Sequence, residues 1–146
     1  MKMIKKINWT MVTMLLIATI SIYYQTRQET PYSQVICYDG DTFATENASG
    51  RVYFRLAFID TPEKGQPGYR EASFYTCQSV KDVINREVKA KFIYHGKDKY
   101  HRRLTEIVYE DGWSLNEELI LIDLAEPFYG KTTDKILKLY EEVKRR

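Results

Sequence analysis

The sequence predicts an α+β fold, mainly β, on three observations. Short β-rich runs bounded by turn dipeptides recur between residues 33 and 109, one stretch among them carries apolar side chains at helical spacing, and two further helical patterns follow. Five strands with a helix between the third and the fourth is the layout of a five-stranded OB-fold barrel, here with three helices. A length of 146 residues with 44% hydrophobic and 29% charged residues suits one domain with a core. Only 7 Gly and 4 Pro exclude collagen-like, low-complexity and disordered chains.

Residues 33–38 (SQVICY) are β-rich and run into Asp39-Gly40, a dipeptide that favours a tight reversal. Residues 42–46 continue as a second strand, 47–50 turn, and 51–59 (RVYFRLAFI) form a long third strand, so the first three read as a meander. Two Pro and two Gly make 61–68 a loop. Over 69–86, Ala72, Tyr75, Thr76, Val80, Val83 and Ile84 recur near the 3.6 period of an amphipathic helix. Residues 88–94 alternate as a fourth strand, 96–101 form a charged turn, and 104–109 are a fifth strand closed by Glu110-Asp111-Gly112. Ser114 with Glu117 three residues on is a capping-box pattern for a short helix to Leu121, and Ile136, Leu137, Leu139, Tyr140 and Val143 mark a C-terminal helix.

The formal charge of +2 divides unevenly. Residues 1–28 hold Lys2, Lys5, Lys6 and Arg27 with no acid, a net of +4, which leaves −2 for residues 29–146. Affinity of the folded part for phosphate must come from a few placed cations rather than from a general field. The three lysines precede an apolar stretch from Trp9 to Tyr24, the layout of a secretory leader. At 1.5 Å per residue it spans roughly 24 Å, short of the ~30 Å hydrocarbon core. Residues 1–24 are expected to be a signal peptide or an N-terminal membrane anchor, 25–31 a linker, and 32–146 the folded domain. The expected location is outside the cytoplasm: secreted, periplasmic or membrane-anchored.

Cys37 and Cys77 are compatible with a disulfide or with two separate buried thiols. No CxxC, HExxH or nucleophile elbow is present, so transition-metal and serine-hydrolase chemistries find no support. Hard oxygen donors are better represented. Asp41 follows the first turn, and Asp60 and Glu63 lie where the third strand ends, so a meander can bring them to one end of the sheet. Carboxylates with a nearby carbonyl suit Ca²⁺, although Asp39, Asp41 and Asp60 taken singly also serve to close turns.

Alternation along 51–59 puts Tyr53, Arg55 and Ala57 on one face and Val52, Phe54, Leu56 and Phe58 on the other. A mid-strand guanidinium beside Ala57 pairs with a carboxylate, grips a phosphate, or stands on an open barrel face. Arg102, in the segment 97–103, is either a solvated turn charge or a phosphate grip with an interleaved tyrosine. A metal, two arginines and a free carboxylate are what phosphodiester hydrolysis needs. The aromatic share of 14%, with 12 Tyr, suits a surface that stacks on rings as well as a core.

The segments 35–43 (VICYDGDTF), 54–63 (FRLAFIDTPE) and 98–104 (DKYHRRL), followed by Asp111-Gly112 and Leu115-Asn116, resemble the staphylococcal nuclease (thermonuclease) family over about residues 35–129. The resemblance implies an OB-fold barrel and a Ca²⁺-dependent nuclease that cleaves DNA and RNA at the 5′ P–O bond, leaving 3′-phosphates. It implies calcium ligation by Asp41, Asp60 and the Thr61 carbonyl, Glu63 as general base, and Arg55 and Arg102 as phosphate clamps. Lys99 and Tyr100 match positions that hold a terminal phosphate, and Tyr129 one that packs on a base. Single-stranded substrates and a monomer are expected. Some relatives lack catalytic residues, so the alternative is a non-catalytic OB module binding nucleic acid or protein. Three positions depart from the family pattern: a short loop at 64–69, His101 where glycine is usual, and Glu126 where a neutral or basic residue is common. If position 101 needs a positive φ, histidine is strained there.

Overall fold

The computed structural model describes residues 9–26, 34–128 and 131–146. The chain divides into two units, residues 1–30 and 31–146. In the first, the apolar run forms a helix, α1 (Trp9–Thr26), in which Thr19 Oγ1 donates to the Leu16 carbonyl at 2.9 Å, so a polar side chain is satisfied within its own turn. Among the described residues no helix is long and apolar enough to cross a membrane. The expected linker is helical at Gln25 and Thr26, and its remainder lies outside the described residues.

The second unit is built from β1 (Gln34–Cys37), β2 (Thr42–Asn47), β3 (Gly50–Leu56), β4 (Ile59–Asp60), α2 (Tyr69–Ile84), β5 (Ala90–Lys97), β6 (Arg103–Tyr109), α3 (Leu115–Leu121), β7 (Glu126–Pro127) and α4 (Asp134–Lys144). Five strands form one sheet in the order β1-β2-β3-β6-β5, and β4 pairs with β7 in a second, two-stranded sheet. The meander is antiparallel, with Phe43 opposite Phe54 and Thr42 opposite Arg55. β3 then runs parallel to β6, Arg55 opposite Leu104. No ladder joins β5 to β1 among the described residues, so the sheet is open where a closed barrel was expected.

The long third strand is shorter than expected because Phe58 adopts a left-handed φ of 71°. The chain bends there, and Ile59 and Asp60 leave β3 to pair with Pro127 and Glu126. Buried Asn116 holds the bend. Its Nδ2 donates to the Ala57 and Thr105 carbonyls at 2.9 and 3.2 Å, and its Oδ1 accepts from the Ile107 amide at 3.3 Å.

One face of the meander makes the core. Phe43 and Phe54 stack with centroids 5.0 Å apart, and Phe92 meets Phe54 edge-on at 5.8 Å. Ala72, Thr76, Val80 and Val83 are the buried stripe of α2, at the spacing that its sequence gives. α3 opens on a complete capping box, with Ser114 Oγ accepting from the Glu117 amide and Glu117 Oε2 accepting from the Ser114 amide. Ile136 anchors α4, and Lys135 pairs with the buried Glu117. Cys37 and Cys77 form a disulfide that ties β1 to α2, Cα atoms 5.7 Å apart and 40 positions apart in sequence. In the chain-entropy account a loop of that length is worth about 4 kcal/mol. The Cys37→Ser/Cys77→Ser protein is expected to lose up to that amount in a urea titration, and dithiothreitol to move the wild-type midpoint in the same direction.

Candidate active site

The turn after β1 fixes the first carboxylate. Asp39 Oδ1 accepts from the Asp41 and Thr42 amides at 3.1 and 2.7 Å, so Asp39 closes the turn. Gly40 fits because a Cβ there would sit 2.7 Å from Ala72 Cβ and 2.8 Å from Thr61 Oγ1. Asp41 is thereby carried inward until only 5% of it is exposed. Its Oδ2 accepts from the Thr61 amide and hydroxyl, both at 2.9 Å, and its Oδ1 from Thr42 Oγ1 at 3.0 Å.

Arg55 sits between two acids. Its Nη1 lies 2.7 Å from Asp41 Oδ2 and its Nη2 2.7 Å from Asp60 Oδ1, with 12% of the side chain exposed. The bend at Phe58 brings Asp60 back to the strand that carries Arg55. Burial pushes the Asp41 carboxyl up to about 6, and the Arg55 charge lowers it only in part. Phe128 lies under the same guanidinium, 5.9 Å from ring centre to Cζ.

The turn between β5 and β6 delivers the second arginine. Asp98 Oδ1 accepts from the Tyr100 and Arg102 amides, both at 2.9 Å, while its Oδ2 accepts from Arg102 Nε at 2.7 Å. Burial raises the Asp98 pKa, but the hydrogen bonds from Arg102 and Tyr100 outweigh it, and the carboxyl titrates below its ordinary value. Arg102 Nη1 reaches across to Thr42 Oγ1 at 3.1 Å, which links it through one hydroxyl to Asp41. His101 does take a left-handed φ of 63°, the conformation in which a histidine is strained.

The structure thus gathers Asp41, Arg55, Asp60 and Thr61, with Arg102 attached through Thr42. Lys99 and Tyr100 are exposed beside Arg102, Lys99 Nζ and Arg102 Cζ lying 5.0 and 5.3 Å from the Tyr100 ring centre. Glu63 lies on the exposed loop, its amide donating to Gln66 Oε1 at 2.7 Å, and its carboxylate has no ion pair to the cluster among the described residues. Tyr129 lies outside the described residues. Thr42, Asp98 and Phe128 were not singled out from sequence. Asp98 had a signal in standing four residues before Arg102, whereas Thr42 and Phe128 had none. A cleft of about 560 Å³ opens beside the cluster, lined by Asp60, Thr61, Gln66, Glu126 and Lys144 among others.

Acids and guanidiniums converging on strand ends define a small α+β domain equipped for anionic esters. The chain belongs to the staphylococcal nuclease family: the family profile described as "Staphylococcal nuclease homologue" matches residues 53–146. Arg55, Asp60, Thr61, Glu63, Lys99, Tyr100, Arg102 and Tyr129 fall within that match, and Asp41 precedes it. Proteins named "Uncharacterized endonuclease" from Escherichia coli O157:H7 and Escherichia coli are each 27% identical over 111 residues, covering 74% of this chain and 67% of the relative.

A carboxyl raised to about 6 in the fold and near 4 when unfolded binds more protons in the native state between those values. Stability contributed at Asp41 is therefore full below about pH 4 and lost as pH rises to about 6, up to about 3 kcal/mol. Asp98 acts in the opposite sense, losing stability as pH falls through its lowered pKa. In metal-free urea titrations from pH 4 to 7, wild-type stability should decline with pH from Asp41, and Asp41→Asn should remove that component.

Proposed function

We propose that the protein is a Ca²⁺-dependent nuclease hydrolysing DNA and RNA at the 5′ P–O bond to leave 3′-phosphates. One observation carries this reading: Asp41 and Asp60, the expected metal ligands, and Arg55, an expected phosphate clamp, share one ion-paired cluster joined by Thr42 to Arg102. The family match supports it, and the strand order supports an OB-type barrel as its scaffold.

The donors suit calcium. Asp41 and Asp60 offer carboxylate oxygens and Thr61 a carbonyl, all hard ligands that water can complete. Among the described residues no three metal-binding side chains stand together, so Asp41, Asp60 and the Thr61 carbonyl are the protein groups that would hold such an ion. Burial of Asp41 outweighs the compensation from Arg55, so the cluster tolerates further positive charge. Bound there, Ca²⁺ supplies polarisation of a phosphoryl oxygen and orientation of a water.

The chain's own residues do the rest. Arg55 and Arg102 hold the phosphate oxygens and the charge that grows on them as water attacks. Glu63 takes the water proton on its carboxylate while the new P–O bond forms and the bond to the 5′ oxygen breaks, the departing oxygen taking a proton from solvent water. Lys99 and Tyr100 hold a neighbouring phosphate, and the exposed tyrosine offers a ring to a base. Glu126, opposite Asp60 in the β4–β7 ladder, adds negative charge and weakens binding at physiological salt. Export through the basic, apolar leader belongs to the same proposal. The disulfide supports it, since such bonds persist in oxidising compartments.

The purified protein should degrade single-stranded DNA with Ca²⁺ and stop with EGTA; folded protein without calcium-dependent cleavage would refute the proposal. Glu63→Gln and Arg102→Ala should each lower kcat by about 10²-fold or more while the melting transition persists. Arg55→Gln removes the cation that already bridges the two carboxylates, so calorimetry should show tighter Ca²⁺ binding alongside lost cleavage. Unchanged or weaker Ca²⁺ affinity would mean that the ion does not compete with Arg55.

A further inference from the structure

The face of the meander opposite the core carries a second feature. Arg55, Tyr53 and Arg51 alternate along β3 and share that face with Thr42, Ala44 and Glu46, their partners on β2. Tyr38, just beyond β1, completes the row, its amide donating to the Thr42 carbonyl at 3.0 Å. The Tyr38 and Tyr53 rings lie side by side, centroids 6.0 Å apart and planes 31° apart, and both residues are 43% exposed.

Polar groups border these rings. The Arg51 guanidinium meets Glu46 at 3.0 Å, and its charge is favoured by hydrogen bonds to Glu46 first and then to the Tyr53 and Tyr38 phenols. Arg51 and Glu46 together are neutral, so the platform neither attracts nor repels a phosphate strongly. Tyr69 fixes the far side by donating from its hydroxyl to the Tyr38 carbonyl at 3.1 Å. Ala44 beneath is fully buried, and any apolar side chain would cover it. Two partly exposed aromatic rings side by side offer more than a cover: ring faces whose two side-chain torsions lose little freedom on stacking.

Strand spacing sets the reach. Tyr53 stands two residues from Arg55 on one face, about 7 Å along β3. We propose that Tyr38 and Tyr53 form a base-stacking platform for single-stranded nucleic acid, taking nucleotides next to the phosphate held at Arg55. This rests on the nuclease reading and extends it from the scissile phosphate to flanking bases. Aromatic stacking accepts every base, so the platform confers length dependence without sequence preference.

Binding of fluorescent oligothymidylate is read by anisotropy at low ionic strength in EGTA, and KM and kcat are read with Ca²⁺, for a long oligomer and for the dinucleotide dTpdT. Tyr38→Ser/Tyr53→Ser should weaken binding of the long oligomer and raise its KM about five-fold or more. Its kcat and the dTpdT parameters should stay within about two-fold, and Tyr38→Phe/Tyr53→Phe should behave as wild type. A folded double serine variant that binds the long oligomer as tightly as wild type overturns the platform. So does an equal loss for dTpdT, which would mean that the serines disturb Arg55, and so does wild-type protein that fails to bind the long oligomer. Wild type that binds but never cleaves refutes the nuclease reading alone, because anisotropy still judges the platform.

Discussion

The buried guanidinium of Arg55 between Asp41 and Asp60 is the constraint around which the site is arranged. A charge so far from water is costly unless paired, and removing one partner from such a group leaves the other uncompensated. Two independent parts of the fold supply the partners. The β2–β3 register sets Thr42 opposite Arg55, and the Leu56 amide donates to the Asp41 carbonyl at 2.7 Å, which fixes Asp41 beside the strand. The bend at Phe58, locked through Asn116, returns Asp60 from the other side. The guanidinium is thus positioned at the site, between two carboxylates, before any substrate arrives.

The local fold was legible because its signals are local. The strands at 34–37 and 42–47, the helix at 69–84 and the capping box at Ser114 follow from alternation, helical period and cap chemistry within a few residues. The third strand was overextended because RVYFRLAFI stays apolar through Phe58, and nothing in those letters announces a left-handed phenylalanine. Its cause is tertiary: Asn116, distant in sequence, takes the Ala57 carbonyl. The open sheet has the same character, since closure depends on the meeting of two edges and not on any one strand.

The site divides in a similar way. Residue types and spacing marked Asp41, Arg55, Asp60 and Arg102, and of the readings open for Arg55, pairing with carboxylates is the one observed. Thr42 escaped notice because a threonine next to an aspartate carries no pattern, yet its hydroxyl joins the two arginine systems. Asp98 is similar: one carboxylate organises a whole turn by accepting two amides and a guanidinium, and it holds His101 in a conformation that histidine does not favour. Likewise, the total charge said little, since the cations that matter are paired and placed.

Gly40 connects the site to a helix that lends it no charged group. Its carbonyl accepts from Thr76 Oγ1 at 2.6 Å, and its missing side chain lets Ala72 and Thr61 approach closely. Helix α2 thereby acts as a ruler for Asp41: the helix touches Gly40, Gly40 touches Thr61, and Thr61 holds the carboxylate by two hydrogen bonds. The helix is itself strapped to β1 through Cys77. A side chain at position 40 would part the helix from Thr61, so the burial that tunes a sheet-borne acid depends on how closely a neighbouring helix can approach.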